Sequence, residues 1–252
     1  MRRLIEDAKL LRVLKVIEDE LGAIEKELER KGAEKSMPQE MAALFTGDIS
    51  LHEGQWVFLR EDYSDERLFH ELMHVSLWIE GWPSYRITKQ NLERQEKWRE
   101  LEERAELAAK ILQHPPIWKR GKQYGYSEEV KWNKQIVVDV ETKVWERFPT
   151  GEYLIAGQAL YLAHAMLSPA AEETKSFLAH QAQAHLPKAH EVTKGVFRVL
   201  EQLDKFLPGS FHVALMKVCE ATGMPIDIHL RDPLDRSPRH DFFQERIEPI
   251  LR

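Results

Sequence analysis

The sequence predicts an α+β fold that is predominantly helical. Three observations lead there: long stretches with apolar residues three and four apart, one pair of strand-like runs around a glycine-containing turn, and Pro and Gly where helices would stop. At 252 residues and 29.6 kDa, the chain fits one large domain or a core with an appendage. Hydrophobic residues at 43% beside charged residues at 31% are typical of a soluble globular protein. No apolar run approaches the roughly 20 residues of a membrane span, so no membrane partner is expected. The net charge of −6 gives no general attraction to nucleic acid, and Lys119-Arg120-Gly121-Lys122 reads as a solvated loop. Glu6-Asp7 interrupts any secretory apolar stretch, and a single cysteine, Cys219, allows no intrachain disulfide. A cytoplasmic location is therefore expected.

Residues 5–34 read as one helix. Leu10, Leu14, Ile17, Leu21, Ile24 and Leu28 follow a heptad rhythm that predicts packing on its own domain, with homodimerisation through a coiled coil as the alternative. After Pro38, Ile49-Ser50-Leu51 and Trp56-Val57-Phe58-Leu59 flank the turn-forming His52-Glu53-Gly54-Gln55 and predict a β-hairpin. Ser64 or Asp65 caps the next helix, which runs through Phe69, Leu72, Met73, Leu77 and Trp78 to Gly81, with Pro83 beyond. A further helix is expected from Asn91 to Leu112, ended by His114-Pro115-Pro116. Val137, Val140 and Val144 fit one helical face, and Leu154 to Leu167, Glu191 to Phe206 and Phe211 to Thr222 fit three more helices. The expected organisation is an N-terminal helix over 1–36, a core over 37–120, a helical region over 121–230 and a loosely structured tail over 231–252.

Inside the third of these elements stands His70-Glu71-Leu72-Met73-His74. Residues four apart on a helix share a face, so both imidazoles can reach one ion, the spacing zinc requires. Glu71 directly follows the first histidine, where a carboxylate can take a proton from an attacking water. The motif is short, and its weight comes from lying on a helix with its own start and stop signals.

A catalytic zinc takes three protein ligands and keeps one position open. Glu80 lies six residues past His74, but Leu77 continues the helix, and about 240° of rotation turns Glu80 away. The next helix offers a better donor. Leu101, Ala105, Ala108 and Leu112 form its apolar face, and the small alanines allow close approach of the motif helix. Glu102 borders that face and is the preferred third ligand, with Glu103, nearly opposite, as the alternative. Glu106, one turn on from Glu102, is placed to hydrogen-bond a ligating imidazole.

The order of hairpin, Tyr63-Ser64-Asp65-Glu66-Arg67-Leu68-Phe69-His70-Glu71-Leu72-Met73-His74 and a helix ending Ala108-Ala109-Lys110-Ile111-Leu112-Gln113-His114-Pro115 resembles the ImmA/IrrE-type metallopeptidases. These are compact, gluzincin-like proteases. The resemblance covers roughly residues 45 to 116. It implies a zincin-like core in which the motif helix packs on a glutamate-bearing helix, with Glu102 matching the family's glutamate and Pro115 its terminal proline. Glu106 stands where the family often has Asn, Gln113-His114 replaces Leu-Met, and Trp82 to Trp98 looks extended.

The function expected is zinc-dependent hydrolysis of a peptide bond in a protein partner, with His70, His74 and Glu102 on the metal and Glu71 as general base. The edge of the hairpin offers a place for an extended peptide by strand addition, and the resemblance implies limited, regulatory proteolysis. Tyr124, Tyr126 or His164 could stabilise the transition state, and the sequence does not choose among them. Trp78, Trp82 and Trp98 suit core packing better than a substrate groove. His180, His185 and His190, five apart, spread around a helix as surface residues. His164 reads as a satisfied core histidine and Cys219 as a small buried apolar residue. The competing expectation is a non-catalytic helical regulatory or scaffolding protein, with metal structural or absent.

Overall fold

The computed structural model describes residues 2–4, 7–30, 49–52, 56–60, 64–82, 84–87, 95–148, 151, 153–202, 210–224, 228–231 and 238–252. The side chains of several of these, Glu102 and Trp98 among them, lie outside that description. The α+β expectation is corrected: of the residues whose side chains are described, 83% are helical and none lies in a strand. The buried apolar side chains come from helices and the residues flanking them. Strands β2 (Ile49–His52) and β3 (Trp56–Arg60) do pair antiparallel, and β1 (Arg2–Leu4) lies on the other side of β3. Ribbons of three to five residues per strand are too small to organise a core by themselves. The helices do that instead.

The chain forms two compact units. The first comprises Met1–Ser84, Gln123–Tyr126 and Arg231–Arg252, so it joins the N-terminal helix, the motif helix and the C-terminal residues, which the sequence reading kept apart. Helix α1 (Ala8–Arg30) opens at Asp7, whose Oδ1 accepts the backbone N–H groups of Lys9 at 2.7 Å and Leu10 at 3.1 Å. Leu10, Leu14, Ile17, Leu21 and Ile24 are buried within this unit, so the heptad seam is already occupied by its own domain. Helix α2 (Asp65–Ile79) packs on α1, and its Leu68, Phe69, Leu72, Met73 and Val75 are buried.

The tail expected to be loose is folded over its described part. A single π-turn (Phe243–Ile247) leads into helix α9 (Glu248–Leu251), and Phe242, Phe243, Ile247 and Leu251 are buried. Arg239 holds the segment in place by donating to Glu20 and Glu27 of α1, at 3.1 and 3.0 Å. The apolar residues at 242, 243, 247 and 251 follow a helical spacing. The prolines and charges upstream obscured it.

The second unit comprises Tyr85–Lys122 and Ser127–Leu230. Its helices are α3 (Gln95–Tyr124), α4 (Glu129–Glu141), α5 (Leu154–Leu167), α6 (Glu172–His185), α7 (Pro187–Glu201) and α8 (Phe211–Ala221). Ile136, Val140, Ala159, Leu162, Leu178, Ala182 and Ala189 meet in its core. Val137 is exposed and does not share the buried face of Val140. Helix α3 corrects the expected stop at Pro115-Pro116, for it continues to Tyr124. Each proline removes one backbone donor and disfavours the helix locally, but Ile117 and Trp118 just beyond are buried and anchor the following turn. No helix among the described residues is long and apolar enough to cross a membrane.

Candidate metal centre

The motif helix is fixed at both ends by the residues the sequence marks. Ser64 caps it, its Oγ accepting the N–H of Arg67 at 3.3 Å. At the other end Gly81 takes φ +105°, Gly81 N–H donates to Trp78 O, and Trp82 N–H donates to Leu77 O, both at 3.0 Å. This crossed pair of bonds is the Schellman arrangement, which requires a residue with positive φ after the last turn. A Cβ on Gly81 would lie 2.7 Å from Pro238 Cβ, so the close approach of the C-terminal segment also requires glycine. Phe69 stacks on Tyr126 with ring centroids 4.7 Å apart, which sets the rotation of the helix about its axis.

With the helix so oriented, every residue from Leu68 to Ile79 is buried except His70, Glu71 and His74. These three, with exposed Arg67, form one stripe at spacing i, i+3, i+4, i+7. The Nε2 atoms of His70 and His74 lie 3.1 Å apart, their rings at 66°. Two nitrogens bound tetrahedrally to one zinc lie about 3.3 Å apart. The separation of the pair is close to that of two nitrogens sharing one ion. Glu71 is partly exposed, and its Oε1 lies 4.0 Å from Arg67 Nε, one turn back.

A group that could hold a metal ion includes His70 and His74. Nothing in the group identifies the metal as zinc. Imidazole donors suit several transition metals.

His114 is buried on α3, and its Nδ1 lies 2.8 Å from Nε2 of His164 on α5. His164 is thus a satisfied core histidine. The rings of Trp118 and Trp132 each lie 5.2 Å from it, and Trp118 donates its indole N–H to Glu128 Oε2 at 3.1 Å.

The other expected site residues are placed as follows. Glu102 lies on α3, its side chain outside the described residues. Glu103 is exposed, and Glu106, also exposed, pairs with Lys110 at 2.6 Å. Glu80 is buried and accepts from Ser76 Oγ at 2.8 Å. Tyr124 donates to Glu248, and Tyr126 donates to Asp7 at 2.8 Å. Burial, together with the neighbouring carboxylate, raises the pKa of both phenols. Trp78 and Trp82 are buried. His180 and His185 are exposed, His185 stacking on Trp145. Cys219 is buried, and burial pushes its thiol pKa up to about 12.

No family model, curated protein or solved structure matches this chain. The functional reading therefore rests on the residues themselves.

Proposed function

We propose that this chain is a zinc-dependent peptidase hydrolysing a peptide bond of a protein partner, with Glu71 as general base. The observation that carries the proposal is the stripe on α2. In a helix otherwise buried beyond Leu68, the two imidazoles and the carboxylate of the motif alone stay accessible, with two Nε2 atoms at metal-sharing distance. A divalent ion bound there would lower the pKa of a water and polarise a carbonyl. His70 and His74 would hold it through their Nε2 atoms. Glu102 is the third donor proposed from the sequence. Glu71 takes the proton of the attacking water and passes it to the leaving amine.

The resemblance of the motif segment to ImmA/IrrE-type metallopeptidases favours limited, regulatory cleavage. A lone buried thiol suits a reducing cytoplasm.

The competing reading is a helical regulatory or scaffolding protein with a structural metal or none, and the helical build of both units favours it. Glu71 separates the two, because a structural site needs no base. Glu71→Gln should retain metal while losing cleavage of an unstructured test polypeptide by about 10²-fold or more. Cleavage at the wild-type rate would remove Glu71 from the mechanism. A chain that binds no divalent metal at all would favour the competing reading.

A further inference from the structure

We propose that Arg67 is the specificity residue of the site and recognises a carboxylate of the substrate. This rests on the peptidase reading and names the class of peptide it acts on. Arg67 stands on the same face of α2 as His70, Glu71 and His74, with its side chain 48% exposed. The turn carrying it lies about 4.5 Å along the helix from His70. An extended peptide advances about 3.3 Å per residue. A peptide laid along the stripe therefore brings a group about two residues from the cleaved bond to the guanidinium.

The local structure gives no reason for an arginine at this place. Ser64 caps the helix and accepts the backbone N–H of Arg67, which makes residue 67 the third of the first turn. In that position a Glu or Gln side chain reaches back to the cap, and the dipole of the first turn favours acids such as the Asp65 and Glu66 that precede it. A cation there is disfavoured. Glu71 offsets little of this. Its Oε1 is 4.0 Å from Arg67 Nε, at the limit of an ion pair, and arginine on the N-terminal side is the weaker order for a helical pair.

The chemistry of the face supplies the reason. A guanidinium carries five N–H donors in a fixed fork, enough for Glu71 at Nε and a second carboxylate at its terminal nitrogens. With a divalent ion on His70 and His74 the stripe is net positive, since Glu71 is its one carboxylate, although the chain carries −6 overall. Such a face attracts an acidic peptide and repels a basic one. The carboxylate comes from an Asp or Glu side chain or from the C-terminus of the peptide, and both present the same pair of oxygens.

The test is to digest a mixture of random peptides with the zinc-loaded full-length chain and read the cut sites by mass spectrometry, with circular dichroism confirming the fold of each variant. Wild-type cuts should keep a fixed distance from a carboxylate, favoured about 10-fold or more over the matching amide, the size expected of one charge-assisted hydrogen-bonded pair. In Arg67→Ala that ratio should fall to about one. In Arg67→Glu it should reverse, the amide being cut faster, and this variant adds the acid that the first turn favours, so the helix keeps its start. C-terminally amidated peptides separate the sources: recognition of a side chain survives amidation, and recognition of the chain end is lost with it. Wild-type cuts with no preference for a carboxylate over its amide, or a preference unchanged in both variants, would overturn the proposal and leave the peptidase reading standing. No cleavage by the zinc-loaded wild type would overturn that reading, and this proposal with it.

Discussion

His70 and His74 turn their Nε2 atoms toward each other across one turn of α2, 3.1 Å apart. Without an ion, one ring's N–H can donate to the other. With an ion, both lone pairs point to one place. The caps at Ser64 and Gly81 and the Phe69–Tyr126 stack hold the turn that makes this geometry.

Removal of either imidazole should therefore end metal binding at this site. His70→Ala and His74→Ala, dialysed against zinc and washed, are expected to retain less than about a tenth of the wild-type metal when analysed by atomic emission, because a single lost ligand costs orders of magnitude in affinity. Circular dichroism should be unchanged, since both side chains are only partly buried. Full metal content in either variant would place the ion elsewhere.

Gly81 is tightly constrained. Its φ of +105° is strained for any residue with a Cβ, and the added carbon would meet Pro238 at 2.7 Å. Gly81→Ala should destabilise the protein by about 1–3 kcal/mol, read from the midpoint of urea unfolding. Gly125 also has positive φ, at +87°, but its added carbon would meet nothing within 4 Å. Gly125→Ala should cost less than Gly81→Ala.

Asp7 and Tyr126 make stability depend on pH at both extremes. Burial raises the Asp7 carboxyl, but the bond from Tyr126, the N–H groups of Leu10 and Lys9 and the Lys9 charge outweigh it, leaving the pKa lowered overall. A carboxyl depressed in the folded state stabilises it above the unfolded pKa, and that contribution fades as pH falls through the folded value. The Tyr126 phenol is raised, first by burial and then by Asp7, so its contribution is present below the ordinary phenol range and is lost as pH rises beyond it. Tyr126→Phe should flatten the alkaline limb of a melting-temperature profile and shrink the acidic loss, because Asp7 loses a partner that lowers it. Asp7→Ala should also remove a helix cap worth about 1 kcal/mol.

Cys219 is expected to be inert in the folded protein. A thiol buried to 1% exposure, with its pKa pushed up to about 12, presents almost no thiolate at neutral pH. Native protein should react with a maleimide only at the rate of global unfolding, and urea-unfolded protein at once. Rapid labelling of the native chain would contradict the burial.

What was legible in the sequence was local. Ser64, Gly81 and the motif spacing identify α2, because a cap, a positive φ and a ligand pair each depend on a few neighbouring residues. The α1 seam was legible for the same reason, and so was the buried face of Leu101, Ala105, Ala108 and Leu112. What was missed depends on distant partners. Pro115 and Pro116 break helices in isolation, yet the burial of Ile117 and Trp118 carries α3 past them. The C-terminal residues fold because Arg239 finds Glu20 and Glu27 some two hundred residues earlier. His164 meets His114 across fifty residues, a pairing no spacing rule encodes.

In the proposed mechanism Glu71 moves protons at a metal held by its flanking histidines. Its most direct test is to load wild-type and Glu71→Gln protein with zinc and measure metal content and cleavage of an unstructured polypeptide on the same samples. Equal zinc in both and cleavage by the wild type alone are expected. Equal cleavage by the two, or none by a fully zinc-loaded wild type, would contradict it.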